Sequence, residues 1–140
     1  FFDTGDGRIL TFFVGEDRPT RPHRGPGNVH HLAFSIAPEE FEATQDALES
    51  AGYGFNEFDR GAFHSLYTQD PSGLVVELVV EKYDFPPERR GEVLALAHEK
   101  RVEAGAGFVD DEHMQAALSE LGLDPEPRFA GSAPTGRGVE

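Results

Sequence analysis

The run FHSLYTQDPSGLVVELVVE (63–81) joins two β-rich segments through Asp-Pro-Ser-Gly, a strong turn signal, and so commits the middle of the chain to a hairpin. In its second arm Val75, Glu77, Val79 and Glu81 alternate with Leu74, Val76, Leu78 and Val80. The second set is wholly apolar and suits a core, which leaves Glu77 among valines on the opposite face. A carboxylate there is either half-exposed or buried with a partner that neutralises it, and the alternation leaves both open. Tyr67 stands ten residues before Glu77, across the turn. The two are neighbours on adjacent strands, but whether they share a face depends on a register that the pattern does not fix.

The segments around the hairpin extend it into a sheet. VHHLAFSI (29–36) alternates and is β-branched or aromatic, so it reads as a strand with His31, Ala33 and Ser35 on one face and His30 on the other unless a bulge intervenes. PEEFEATQDALESAG (38–52) has Pro38 in a first-turn position, early acids, Phe41, Gln45 and Leu48 at helical spacing, and Gly52 as a stop. YGFNEFDRG (53–61) is a further β-rich run, which makes the order one strand, one helix and three strands. That order predicts an α+β fold, a curved and mostly antiparallel sheet with its helix on one side.

Before this unit, DTGDG is turn-forming, RILTFFVG (8–15) reads as a short strand, and EDRPTRPHRGPGN as a linker. After it, FPPERRGEVLALAHEKRVEAG (85–105) and DDEHMQAALSELG (110–122) read as two helices, the second with an Asp cap and Gly122 as its stop. From Asp124 onward the chain is rich in Pro and Gly and nearly without apolar anchors, which predicts a mobile tail. His23, His98 and His113 fall in the linker or the helices, where solvated histidines are expected.

VHHLAFSI, a following helix and YTQDPSGLVVELV together resemble the βαβββ module of the vicinal oxygen chelate superfamily, which includes glyoxalases, bleomycin-resistance binders and extradiol dioxygenases. The resemblance divides the chain into a terminal strand of a preceding module plus linker (1–28), a βαβββ metal-binding module (29–82), a helical extension (83–122) and a flexible tail (123–140). It implies a mixed sheet, with His31 on the first strand and Glu77 on the last as ligands of a divalent metal. GNVHHLAF, DRGAFHSLY and RILTFF look most like the ring-cleaving, hydroquinone-type extradiol dioxygenases, whose 2-His-1-carboxylate iron site leaves positions open for a phenolic substrate and dioxygen.

By that likeness the expected activity is Fe(II)-dependent ring cleavage of a hydroquinone or catechol, with Mn, Zn or Ni as alternative metals. Tyr67, Arg60 and His30 match its catalytic groups: a substrate-bonding tyrosine, an arginine that steadies a phenolate, and a proton-handling histidine beside the ligand. The remaining histidine ligand would come from a preceding module or from a second copy of the chain. His64 stands where such enzymes commonly carry an arginine, and alternation from Tyr67 turns it to the other face. The alternatives are a glyoxalase-like lyase or isomerase using a non-redox metal, and a non-catalytic small-molecule-binding protein of the same fold.

Composition narrows the classes further. With no cysteine there are no disulfides, thiolate nucleophiles or cysteine-held metals. The chain has no run of eighteen apolar residues and no basic-then-apolar leader, so a cytoplasmic protein without a membrane partner is expected. There are 26 acids against 12 bases, a formal charge of −14, and only Lys82 and Lys100 are lysines. Such a surface repels a phosphate backbone, so nucleic acid is not an expected partner. Two readings of the balance stand, an ordinary acidic protein and one from a high-salt cytoplasm, where salt would screen the self-repulsion of a compact acidic chain. On the second, the melting temperature is expected to rise when KCl is raised from dilute buffer to molar concentration; a Tm indifferent to salt overturns the halophilic expectation.

Overall fold

The computed structural model describes residues 2–5, 7–12 and 25–130. β1 (Phe2–Asp3) and β2 (Ile9–Leu10) form a small antiparallel hairpin, with Phe2 opposite Leu10. Of the strand expected over 8–15, residues 13–15 lie outside the described residues, as do the linker through residue 24 with His23 and the tail from 131 to 140.

The main sheet has four strands: β3 (His31–Ser35), β4 (Asn56–Asp59), β5 (Phe63–Gln69) and β6 (Val75–Glu81), in the spatial order β3-β6-β5-β4. β3 runs parallel to β6, and the β6–β5 and β5–β4 pairs are antiparallel. With α1 (Phe41–Ser50) between β3 and β4, and α2 (Arg90–Glu103) and α3 (Asp111–Glu120) after the sheet, this is the α+β, βαβββ architecture with C-terminal helices that the sequence predicts.

The Asp70–Gly73 turn fixes the register. Asp70 Oδ1 accepts from the backbone N–H of Ser72 (2.9 Å) and of Leu74 (2.8 Å), and Asp70 N–H donates to the Leu74 carbonyl at 3.0 Å. Gly73 takes the left-handed conformation (φ 85°) that closes the loop. Gln69 therefore pairs with Val75, and two residues further in Tyr67 stands directly opposite Glu77. The same register puts His31, Glu77 and Tyr67 on one face, and His64, Leu66 and Val80 on the other.

α1 covers the second face. Pro38 opens a 3-10 turn (Pro38–Glu40) that runs into α1, and Gly52 (φ 79°) lets the chain leave it. Phe41, Leu66 and Val80 form the core between helix and sheet, with Leu48, Leu78 and Phe129 packed around them. Beneath α1 lies a polar pair: Glu57 and His64, each 1% exposed, with His64 Nε2 2.5 Å from Glu57 Oε1. Gln45 of α1 donates to the other Glu57 oxygen at 2.8 Å, while the Phe41 and Phe129 rings flank the imidazole at 5.2 and 5.4 Å. Phe129 is an apolar anchor that the Pro/Gly-rich composition of its segment does not advertise. Arg128 N–H donates to the Lys82 carbonyl at 2.7 Å beside it.

α2 and α3 pack against each other around Val93, Ala97, Met114, Ala117 and Leu118, and against Ala62 and Tyr83 at one end of the sheet. Buried Lys82 joins the two parts, its Nζ 2.6 Å from both Asp59 Oδ2 and Asp111 Oδ1. Burial alone would raise the Asp59 carboxyl, but the hydrogen bond and charge of Lys82 outweigh it and hold the group below its ordinary range. His113 is not the solvated residue expected. It is 8% exposed and completes the cap of α3, accepting from Asp110 N–H at 3.1 Å while Asp110 accepts from its own N–H at 3.2 Å.

Glu57→Ala removes the acceptor of two donors, one of them on a fully buried ring. It is expected to lower the unfolding free energy by about 3 kcal/mol or more, measured by urea denaturation. A loss below about 1 kcal/mol would show that the pair does not hold α1 to the sheet.

Candidate ligand site

On the face away from α1, the cross-strand pair Tyr67 and Glu77 is closed by a hydrogen bond, the phenol donating to Glu77 Oε1 at 2.7 Å. Ala33 lies beside Glu77 on β3, and its small side chain leaves room for His31, one pleat away, to lean over the carboxylate. His31 Nε2 sits 2.9 Å from Glu77 Oε2. The other nitrogen of that ring, Nδ1, is 2.9 Å from His30 Nδ1. The result is a chain of contacts running His30, His31, Glu77, Tyr67. Glu77 is 8% exposed, so of the two environments left open by the alternation the structure shows the buried one, with its partners present.

Both ends of that chain open onto one cavity of about 210 Å³, which His30 and Tyr67 line together with Asn56, Phe58, Arg60 and Val75. Phe58 and Tyr67 meet edge to face, with centroids 5.8 Å apart. The Arg60 guanidinium lies 4.7 Å from the Phe58 centroid and 5.8 Å from that of Tyr67. Burial, then the hydrogen bond and the charge of Glu77, raise the Tyr67 phenol above its ordinary value of 10.0, against the opposing pull of Arg60. Tyr67 therefore stays protonated at neutral pH and donates to Glu77.

All five residues singled out in the sequence thus lie around one place: His31 and Glu77 against each other, and Arg60, Tyr67 and His30 on the cavity wall, His30 there rather than on the opposite face because it precedes β3 and escapes the strand's alternation. Asn56 and Phe58 were not anticipated. Their signal is pairing, since Asn56 stands opposite Tyr67 on β4 and Phe58 is one pleat along. His64 is on the other face, bonded to Glu57, and contributes nothing here.

The metal expectation is overturned. Among the described residues there is no group of three or more His, Cys, Asp or Glu side chains that could hold a metal ion. The physical reason is that the donors face one another. Glu77 offers one oxygen to Tyr67 and one to His31, and the second nitrogen of His31 faces His30, so no common point receives three ligands. An iron site of the 2-His-1-carboxylate type needs three protein donors around an open position, and a zinc site needs at least as many. The described residues do not fit Fe(II), nor Mn, Zn or Ni in its place, and the reading of the chain as an Fe(II) extradiol dioxygenase falls on that finding.

The fold defines a protein built on a βαβββ module, and the family comparison gives the superfamily. The chain belongs to the glyoxalase/bleomycin resistance protein/dioxygenase superfamily, whose model matches residues 1–78. It is 31% identical over 105 residues to a chlorohydroquinone/hydroquinone 1,2-dioxygenase from Sphingobium indicum, an alignment that covers 69% of this chain and 32% of that protein. The chain therefore spans about a third of the length of that relative. A solved glyoxalase/dioxygenase from Nostoc punctiforme aligns at 20% identity and a TM-score of 0.39, covering 50% of this chain and 48% of that one. No helix among the described residues is long and apolar enough to cross a membrane.

The raised phenol of Tyr67 has a consequence for stability. A group whose folded pKa exceeds its unfolded value contributes fully below the unfolded value, and that contribution is lost as pH rises through the folded one. Burial and the Asp111 hydrogen bond also push Tyr83 up. Unfolding free energy is therefore expected to fall as pH rises above about 10, and Tyr67→Phe should make that fall shallower. Parallel urea-denaturation curves from pH 9 to 11.5 check it; an unchanged slope in Tyr67→Phe counts against the Tyr67–Glu77 bond.

Proposed function

We propose that this chain is a small-molecule-binding module of its superfamily that takes a single phenolic ring into the cavity beside Tyr67 without the help of a metal. The observation that carries the proposal is the wall itself: two aromatic rings set edge to face, with an arginine over them, at the mouth of a cavity of about 210 Å³. An engineered apolar cavity of about 150 Å³ holds benzene, so the space suits one substituted ring and little more. A phenol presents an apolar body to Phe58 and Val75, and a hydroxyl that needs a polar partner. Arg60 offers a fixed charge and several donors, and His30 and Asn56 offer further hydrogen bonds.

The kinship supports the same ligand class, since the relative's name gives hydroquinone and chlorohydroquinone as what that protein acts on. Of the alternatives that the family resemblance offers, the non-catalytic binder asks least of the site. The contacts among His30, His31, Glu77 and Tyr67 then serve to hold the wall rigid before a ligand arrives, which spares binding the cost of ordering those side chains.

Calorimetric titration of the full chain with hydroquinone in the presence of EDTA tests the proposal. The expected result is saturable binding with Kd on the order of 0.1–1 mM, in keeping with a ligand of so few atoms, and unaffected by the chelator. Arg60→Gln should weaken it roughly 10-fold. Absence of binding by the folded parent chain, or binding that requires added metal, overturns the proposal.

A further inference from the structure

The helical extension reaches the ligand site through Arg60. Besides the rings of Phe58 and Tyr67, the guanidinium has a third ring beside it, that of Phe108 at 6.0 Å. Phe108 lies on the connection between α2 and α3, beyond the residues matched by the family model. It is 76% exposed, a large apolar ring held in water.

The loop that presents it is fastened on both sides. Arg101 Nη1 donates to the carbonyls of Ala106 (2.7 Å) and Gly107 (3.3 Å) on one side, and the Asp110–His113 cap fixes the start of α3 on the other. Between them the loop backbone abuts Gly61. A Cβ on Gly61 would stand 2.7 Å from the Val109 carbonyl oxygen and 2.7 Å from Asp110 Cα, closer than such atoms approach, and its φ of 71° also favours glycine. Gly61 directly follows Arg60, and Val109 directly follows Phe108. This backbone contact, which a side chain at position 61 would not permit, is thus the contact that sets the arginine and the phenylalanine side by side.

We infer that Phe108 is a specificity-determining residue of the ligand site, an outer wall that lies against the face of a flat ring whose polar edge is held by Arg60. The site then selects aryl ligands over saturated rings of equal size. This rests on the phenol-binding reading given above. An aromatic face prefers another aromatic ring to a puckered aliphatic one, by an amount that corresponds to about 3- to 10-fold in affinity.

The test compares hydroquinone with 1,4-cyclohexanediol, by titration calorimetry on the full chain and on variants. Phe108→Ala is expected to lose about 3- to 10-fold in affinity for hydroquinone while its affinity for the diol and its melting temperature stay at the parent values, since the ring it removes is exposed. Phe108→Tyr should restore the preference. Gly61→Ala, which must displace the loop, should reproduce the loss without touching Phe108 itself. Parent-like hydroquinone binding by Phe108→Ala, or equal weakening for both ligands, overturns the inference. If Arg60→Gln weakens hydroquinone binding but Phe108→Ala does not, only this inference falls. If the folded parent binds neither ligand, the phenol-binding reading falls and takes this inference with it.

Discussion

The carboxylate of Asp70, holding the backbone N–H groups of Ser72 and Leu74, fixes the strand pairing on which the candidate site is built. It closes the β5–β6 turn at one register, and that register alone puts Tyr67 opposite Glu77. A slip of one residue would turn Glu77 toward α1 and bring Val80 out of the core, so the turn and the apolar face of β6 enforce the same pairing. From there the geometry propagates outward. β3 lies parallel to β6 with Ala33 beside Glu77, which admits His31, while β4 lies against β5 with Asn56 and Phe58 flanking Tyr67.

The sheet carries two buried carboxylates, one on each face, and both have hydrogen-bonding partners at hand. Glu57 is held by His64 and Gln45 under α1, and Glu77 by Tyr67 and His31 on the open face. In a chain of formal charge −14 this matters, because a buried carboxylate without partners would be raised in energy by both desolvation and the acidic surface. The same local satisfaction explains why the open face does not assemble a metal site. Histidine and carboxylate that are already one another's partners must break those contacts before they can face an ion, and the third donor that would repay the loss is absent among the described residues.

The parts legible in the sequence were those set by period and punctuation. Alternation in VHHLAFSI and LVVELVVE marked β3 and β6, Pro38 and Gly52 bracketed α1, and Asp110 with Gly122 bracketed α3. Even the orientation of His64 followed from counting three residues back from Tyr67. What could not be read was set by contacts between distant segments. Periodicity states which face a residue occupies and not which atom it turns to a neighbour, so it did not show that His31 and Glu77, expected as metal ligands, face one another, nor that His30 bonds the same imidazole. His113 looked solvated on a polar helix, yet it caps that helix from within, and Phe129 lay in a segment whose composition gave no hint of docking. Phe108 was invisible for the same reason. Its importance depends on Gly61, nearly fifty residues away, touching the backbone beside it.

Charge bears on which form of a phenol the proposed site would take. A surface of net −14 repels anions at long range, and in dilute buffer that repulsion reaches well beyond contact distance. Arg60 supplies one positive charge at the cavity, but Glu77 stands on the far side of Tyr67 and offsets it. The balance favours entry of the neutral phenol, which feels no long-range repulsion, followed by a short-range hydrogen bond to the guanidinium. Rising salt would then narrow the difference between neutral and ionised ligands by screening the acidic surface, while leaving the desolvated contact with Arg60 largely intact. A chain this acidic could therefore carry the proposed arginine-lined aryl pocket without becoming a general trap for anions, because its surface field and its cavity act at different distances.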